Sequence, residues 1–184
     1  MGKRIQDKYK LIVLGLVVMI AGSVILFRCN GSFKRHGKKT EICDMNHDET
    51  DEIITLCNQR LSIMENANLL WESQEEWKVT DFLITDINRD GFYELLILLW
   101  KKGNFGEYAP FWEENSMDDE LSQHIFIYQW SEQEKRIKPL WMSSGLKPQI
   151  QSWNLTEDGK IHILTDKKED TLWRWREWGL ERVQ

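Results

Sequence analysis

Three rhythms of apolar and polar positions divide the chain. Residues 11–27 are 17 consecutive positions without a charge, apolar on every side; as a helix they extend roughly 25 Å, which predicts a membrane span. Residues 51–73 place Ile53, Ile54, Cys57, Leu61, Met64, Ala67, Leu70 and Trp71 mostly three or four apart. That period predicts an amphipathic helix with one apolar stripe, capped by Thr50 or Asp51. From residue 77 the period falls to two. Runs at 79–85, 93–100, 124–130, 137–142, 150–155, 160–164, 171–175 and 180–183 predict eight short strands joined by turns, a mainly β, antiparallel architecture. Eight strands in two similar halves predict two four-stranded sheets of propeller-blade type packed face to face.

The flanks of the first apolar run set its meaning. Lys3, Arg4, Lys8 and Lys10 precede it and Arg28 follows it. A cleavable signal peptide is the rival reading, because Ala21, Gly22 and Ser23 form a small-residue stretch, but Val24 to Phe27 carry the apolar run past that point. Phe27 and Arg28 directly before Cys29 do not match a bacterial lipoprotein signal. The expected organisation is a cytoplasmic tail over 1–10, a transmembrane helix over 11–27, a basic stem over 28–49 and an extracytoplasmic domain over 50–184, the last made of the helix 51–73 and the β region 77–184. This places the bulk of a bacterial single-pass plasma-membrane protein at the cell surface.

Charge follows the same division. The first 40 residues hold nine basic side chains and one acidic, a net +8, whereas the remainder holds 15 basic and 29 acidic, a net −14. An acidic domain disfavours nucleic acid, whose phosphates demand a basic face. The stem is either a solvated linker or a strip that meets anionic headgroups.

The most specific chemistry lies at the turn before the strand 93–100. Asp86, Asn88 and Asp90 alternate, Gly91 permits a sharp reversal, and Glu94 follows. Alternation lets a curled backbone aim three oxygens at one point, with the Phe92 carbonyl and the Glu94 carboxylate supplying two more. Hard divalent cations take six to eight oxygens at about 2.3–2.6 Å. An EF-hand needs a bidentate Glu at the twelfth position, where Ile97 stands, and helices where these flanks read as strands, so that reading is excluded. A metal-free turn is the alternative, since Asp, Asn and Gly bond and bend their own backbone.

The order Asp86-x-Asn88-x-Asp90-Gly91-x-x-Glu94-Leu95 resembles the FG-GAP or VCBS-type repeats of integrin-like β-propellers and bacterial surface proteins. A weaker second copy places Asn154, Thr156, Asp158, Gly159 and His162 at the corresponding positions. In that family each repeat forms a propeller blade stabilised by calcium, so the resemblance implies a structural calcium at Asp86, Asn88, Asp90, Phe92 and Glu94, and a binding role. Weak calcium sites fill outside the cytosol, which orients residues from about 30 onward outward.

Other features add less. Cys43 and Cys57 are spaced to allow a bridge in an oxidising compartment, and with His47 they lack the fourth ligand that a zinc site needs. Ten tryptophans in 184 residues fill a small β core or form a recognition platform. The connection 101–122 is long for joined strands, and loops of that length in compact domains are mostly functional or disordered. It combines Phe105, Tyr108, Phe111 and Trp112 with Asp118 and Asp119, the residues expected to meet a protein or glycan ligand. No G-x-S-x-G, H-E-x-x-H or phosphate-binding loop occurs in the sequence. The expected function is a calcium-stiffened binding or interaction module. The alternatives are a carbohydrate-active enzyme using acidic loop residues such as Glu114 and Asp119, or a structural accessory subunit of a membrane complex.

Overall fold

The computed structural model describes residues 38–104 and 119–184. The span 11–27 and the stem's first ten residues, 28–37, therefore lie outside the described residues. What is described is built from strands: β1 (Lys39–Cys43), β2 (Glu52–Cys57), β3 (Arg60–Glu65), β4 (Asn68–Glu72), β5 (Lys78–Thr85), β6 (Glu94–Lys102), β7 (Leu121–Ser131), β8 (Arg136–Met142), β9 (Ile150–Leu155), β10 (Ile161–Thr165), β11 (Asp170–Arg176) and β12 (Gly179–Arg182). They form three antiparallel meanders of four strands, β1–β4, β5–β8 and β9–β12. The eight strands expected beyond residue 77 make the second and third sheets.

The helix expected over 51–73 is not formed; β2, β3 and β4 occupy that stretch. Ile54 and Leu56 in β2 and Leu61 and Ile63 in β3 are the buried positions, an alternating set. Two tight reversals, at Asn58-Gln59 (φ 50 and 65) and Asn66-Ala67 (φ 45 and 70), join the strands through left-handed pairs of the kind that suit two-residue hairpins. The spacing of three and four among Ile54, Cys57, Leu61 and Met64 mixes the two faces of the hairpin, Ile54 and Leu61 facing the core and the half-buried Cys57 and Met64 alternating with it. β1 is likewise a strand within the segment expected to be stem. Lys39 pairs with Leu56 and Cys43 with Glu52, so the first sheet closes on residues whose polar composition hides their strand.

The second sheet is the middle layer. Leu95, Ile97 and Leu99 of β6, with Phe126 and Tyr128 of β7, enter one core with Ile54, Leu56, Leu61 and Ile63 of the first sheet. Leu96, Leu98, Ile125 and Ile127 enter a second core with Ile150, Trp153, Ile161 and Ile163 of the third sheet. Burial on both faces explains why 95–100 is apolar without alternation. The tryptophans mostly line these cores: Trp77 meets Phe126 edge-on at 5.2 Å, Trp71 lies 4.9 Å from Tyr128, and Trp141, Trp173 and Trp175 pack against the second core. Trp178 alone of these rings is strongly exposed among the described residues, at 79%.

The first strands of the three sheets meet at Asp81. Its Oδ1 accepts from Lys39 Nζ at 3.0 Å and its Oδ2 from Trp153 Nε1 at 2.9 Å, so one carboxylate ties β1, β5 and β9. Cys57 is disulfide-bonded and Cys43 is a free thiol, so the two are not bridged to each other. Burial, then the Glu52 charge, pushes the Cys43 thiol up to about 12.

Candidate functional site

Each sheet turns from its first strand to its second through an oxygen-rich loop, and the loop between β5 and β6 holds Asp86, Asn88 and Asp90. Asp86 Oδ1 accepts the Asp90 amide and Oδ2 the Gly91 amide, both at 3.0 Å. Asn88 Oδ1 accepts the Asp90 amide at 3.0 Å and Asp90 Oδ1 the Phe92 amide at 2.9 Å. The coil forms because these short side chains bond backbone two to five residues ahead. Arg89 (φ 64) and Gly91 (φ 92) take the left-handed conformations it requires.

Glu94 closes the loop from beneath. It is the first residue of β6, has no exposed surface, and accepts the Ile87 amide on Oε2 at 2.9 Å. Its Oε1 is buried with no hydrogen-bond partner among the described residues. Leaving such an oxygen unmatched is costly, more so when charged. Burial foremost, with the Asp90 and Asp86 charges adding and the Ile87 and Asn88 amides opposing, raises the Glu94 carboxyl from its ordinary 4.5 to about 7.

The donors fit a hard cation. Asp86, Asn88, Asp90 and Glu94 supply oxygens, each with lone-pair capacity beyond the one N–H it accepts, while the Asn88 amide nitrogen donates to Asp90 Oδ2 at 2.9 Å. Among the described residues no three acidic, histidine or cysteine side chains already stand at metal-ligand geometry. Phe92, whose carbonyl was expected to contribute, has a 47% exposed side chain at the rim.

The loop between β1 and β2, absent from the sequence-based expectations, repeats these backbone-amide bonds one for one. Asp44 Oδ1 accepts the Asp48 amide at 3.2 Å and Oδ2 the Glu49 amide at 3.1 Å. Asn46 Oδ1 accepts the Asp48 amide at 2.9 Å, and Asp48 Oδ1 the Thr50 amide at 2.8 Å. Glu52 Oε2 accepts the Met45 amide at 2.6 Å, its side chain has no exposed surface, and its Oε1 is buried without a partner among the described residues. Burial, with Glu65, Asp44 and Asp48 adding and the Met45 amide opposing, raises this carboxyl too to about 7. The signal was present as Asp44-x-Asn46-x-Asp48-x-x-x-Glu52. It is masked because Glu49, at φ 69, stands where the other loop has Gly91.

The third loop keeps the turn and replaces the ligand set. Thr156 Oγ1 donates to Asp158 Oδ1 at 2.6 Å, the Lys160 ammonium sits on Asp158 Oδ2, and His162 lies 3.1 Å from Asn154 Oδ1. A side-chain cation already neutralises this copy. The three loops adjoin in order: the His47 and Phe92 rings are 4.4 Å apart, and Arg89 donates to the Asp158 carbonyl at 3.0 Å. A cleft of about 670 Å³ opens beside the first two, lined by Asn46, His47, Asp48, Asp90, Phe92 and Trp130 among others.

Of the residues expected to meet a ligand, Phe105, Tyr108, Phe111, Trp112 and Asp118, like Glu114 of the enzyme alternative, lie outside the described residues. Asp119 is exposed and pairs with Lys102 at 3.3 Å. At the root of that connection His124 is fully buried, its Nε2 2.8 Å from Ser122 Oγ and its Nδ1 3.0 Å from the Ser143 carbonyl. The Ser122 hydroxyl also reaches the Gly103 carbonyl at 2.7 Å, which makes this cluster a clasp on residues 103 and 143. Burial lowers the His124 pKa and favours the neutral ring. No known protein family, curated protein or solved structure matches the chain.

Proposed function

We propose that the protein is a single-pass, membrane-anchored binding module facing the outside of the cell, with calcium holding the loop of Asp86, Asn88, Asp90, Phe92 and Glu94 in shape. The observation that carries this reading is Glu94 Oε1, buried under an oxygen-rich coil with no hydrogen-bond partner and no ion pair among the described residues. A divalent ion supplies the missing charge and ties β5 to β6 at the point where the chain enters its middle sheet. The anchor rests on the apolar run 11–27, and the resemblance to calcium-stabilised surface repeats supports the same placement.

Recognition in this reading belongs to the surface that the stiffened loops present. The cleft flanked by Phe92 and Trp130 and the connection 101–122 are its two parts, and their mix of rings and carboxylates suits a protein or glycan ligand. Calorimetric titration of the full-length chain in detergent with calcium tests the site. A saturable binding step that disappears in Asp90→Ala, together with a calcium-dependent rise in the unfolding midpoint of the unsubstituted protein, is the expected result. Identical uptake by both proteins, or none by either, defeats the reading.

A further inference from the structure

We infer that Asp44, Asn46, Asp48 and Glu52, in the loop between β1 and β2, form a second divalent-cation site of the calcium type, adjoining the first across the His47–Phe92 contact. It extends the calcium reading of the Asp86 loop, yet it stands on its own atoms. Five hydrogen bonds from backbone amides to side-chain oxygens recur at equivalent positions in both loops, so the two coils present their donors alike. Hydrogen bonds of that kind form in cation-free turns as well and do not by themselves demand an ion.

The further observation is Glu52. A carboxyl with no exposed surface, one oxygen on the Met45 amide and the other with no partner among the described residues, sits beneath the coil. Nothing in a metal-free hairpin requires a glutamate there, since Ile161 and the exposed polar pair Asn154–His162 serve the third loop without one. Lys160 pairs with Asp158 in that loop; in the first loop no lysine or arginine pairs with Asp44, Asp48 or Glu52 among the described residues. Asn46 Nδ2 instead donates to Glu65 Oε1 at 3.0 Å, which turns the Asn46 carbonyl oxygen toward the coil. Two carboxylates, an amide oxygen and a buried glutamate make an oxygen set for a hard ion.

The two sites share a wall. His47 belongs to one coil and Phe92 to the other, their rings 4.4 Å apart, and Asp48 and Asp90 line the same cleft.

Calcium binding to the full-length chain in detergent, counted by equilibrium dialysis and calorimetry, tests this in the unsubstituted protein and in Asp48→Asn, Glu52→Gln and Asp90→Asn. Each replacement is nearly isosteric and keeps the oxygen that accepts the backbone amide, and far-UV spectra verify the fold. The expected result is two calcium ions in the unsubstituted protein and one step lost or weakened at least tenfold in each single variant. A single ion lost in Asp90→Asn but retained at full affinity in Asp48→Asn and Glu52→Gln overturns the inference and leaves the Asp86 site standing. A single ion lost in Asp48→Asn and retained in Asp90→Asn upholds the second site and overturns the first. Two ions bound at unchanged affinity by folded Asp48→Asn and Glu52→Gln, or no binding at all, also overturns it.

Discussion

Buried, proton-holding glutamates make stability fall with rising pH, the reverse of the usual behaviour of carboxylates, and the effect is large enough to measure. In the folded protein Glu94 and Glu52 hold their protons up to about 7, against an ordinary value of 4.5. Between those values the folded state binds more protons than the unfolded one, so their contribution is complete below 4.5 and is lost as the pH climbs through 7. A gap of this size corresponds to about 3 kcal/mol per carboxyl, a substantial part of the roughly 5–15 kcal/mol that holds a domain folded. Urea denaturation with a chelator present, at intervals from pH 5 to 8, measures it in the unsubstituted protein, Glu94→Gln and Glu52→Gln. The difference between unsubstituted protein and either variant should shift by about 3 kcal/mol over that range, against the unsubstituted protein at high pH. His124, whose neutral form burial favours, pushes the other way near its ordinary 6.5, but it is common to all three proteins and cancels. Saturating calcium should abolish the shift, because the ion takes the ionised carboxylates and expels their protons. Parallel curves for the unsubstituted protein and Glu94→Gln in the presence of chelator would refute the reasoning.

Four further substitutions test packing and backbone. Ile97→Ala empties a fully buried position in the core between the first and second sheets and should cost about 2–5 kcal/mol by denaturant titration. Asp81→Ala unties Lys39 and Trp153 and should cost about 1–3 kcal/mol, with calcium stoichiometry unchanged. Glu49→Gly, which relieves a side chain held at φ 69, should stabilise by about 0.5–1 kcal/mol, whereas Gly91→Ala at φ 92 should destabilise by about 1–2 kcal/mol through backbone conformation alone.

What the sequence made legible was decided by local rules. The strands from β5 onward alternate or run apolar between turn residues, and both patterns survive in the structure because the second sheet is buried on two faces and the third on one. The first sheet was hidden for two reasons. Asn58-Gln59 and Asn66-Ala67 turn the chain without glycine, so nothing punctuated the run, and apolar residues from both faces of the hairpin, such as Ile54 with Cys57 and Leu61 with Met64, imitated a helical stripe. β1 carries Lys39, Thr40 and Glu41, whose composition reads as linker although Lys39 joins the Asp81 hub. The side chains of the Asp86 loop stand out in the sequence as a group because their spacing is itself the geometry of the turn. Its twin escaped because Glu49 fills a left-handed position without the glycine that advertises one, and because the burial of Glu52 and Glu94 depends on three sheets stacking, which no local pattern encodes.

The direct measurement is electron density from crystals of the protein grown with calcium. The expected result is a peak within about 2.3–2.6 Å of oxygens from Asp86, Asn88, Asp90 and Glu94, with Glu94 Oε1 among the ligands. A loop that keeps its amide hydrogen bonds around water alone, at calcium concentrations in the millimolar range, would contradict it.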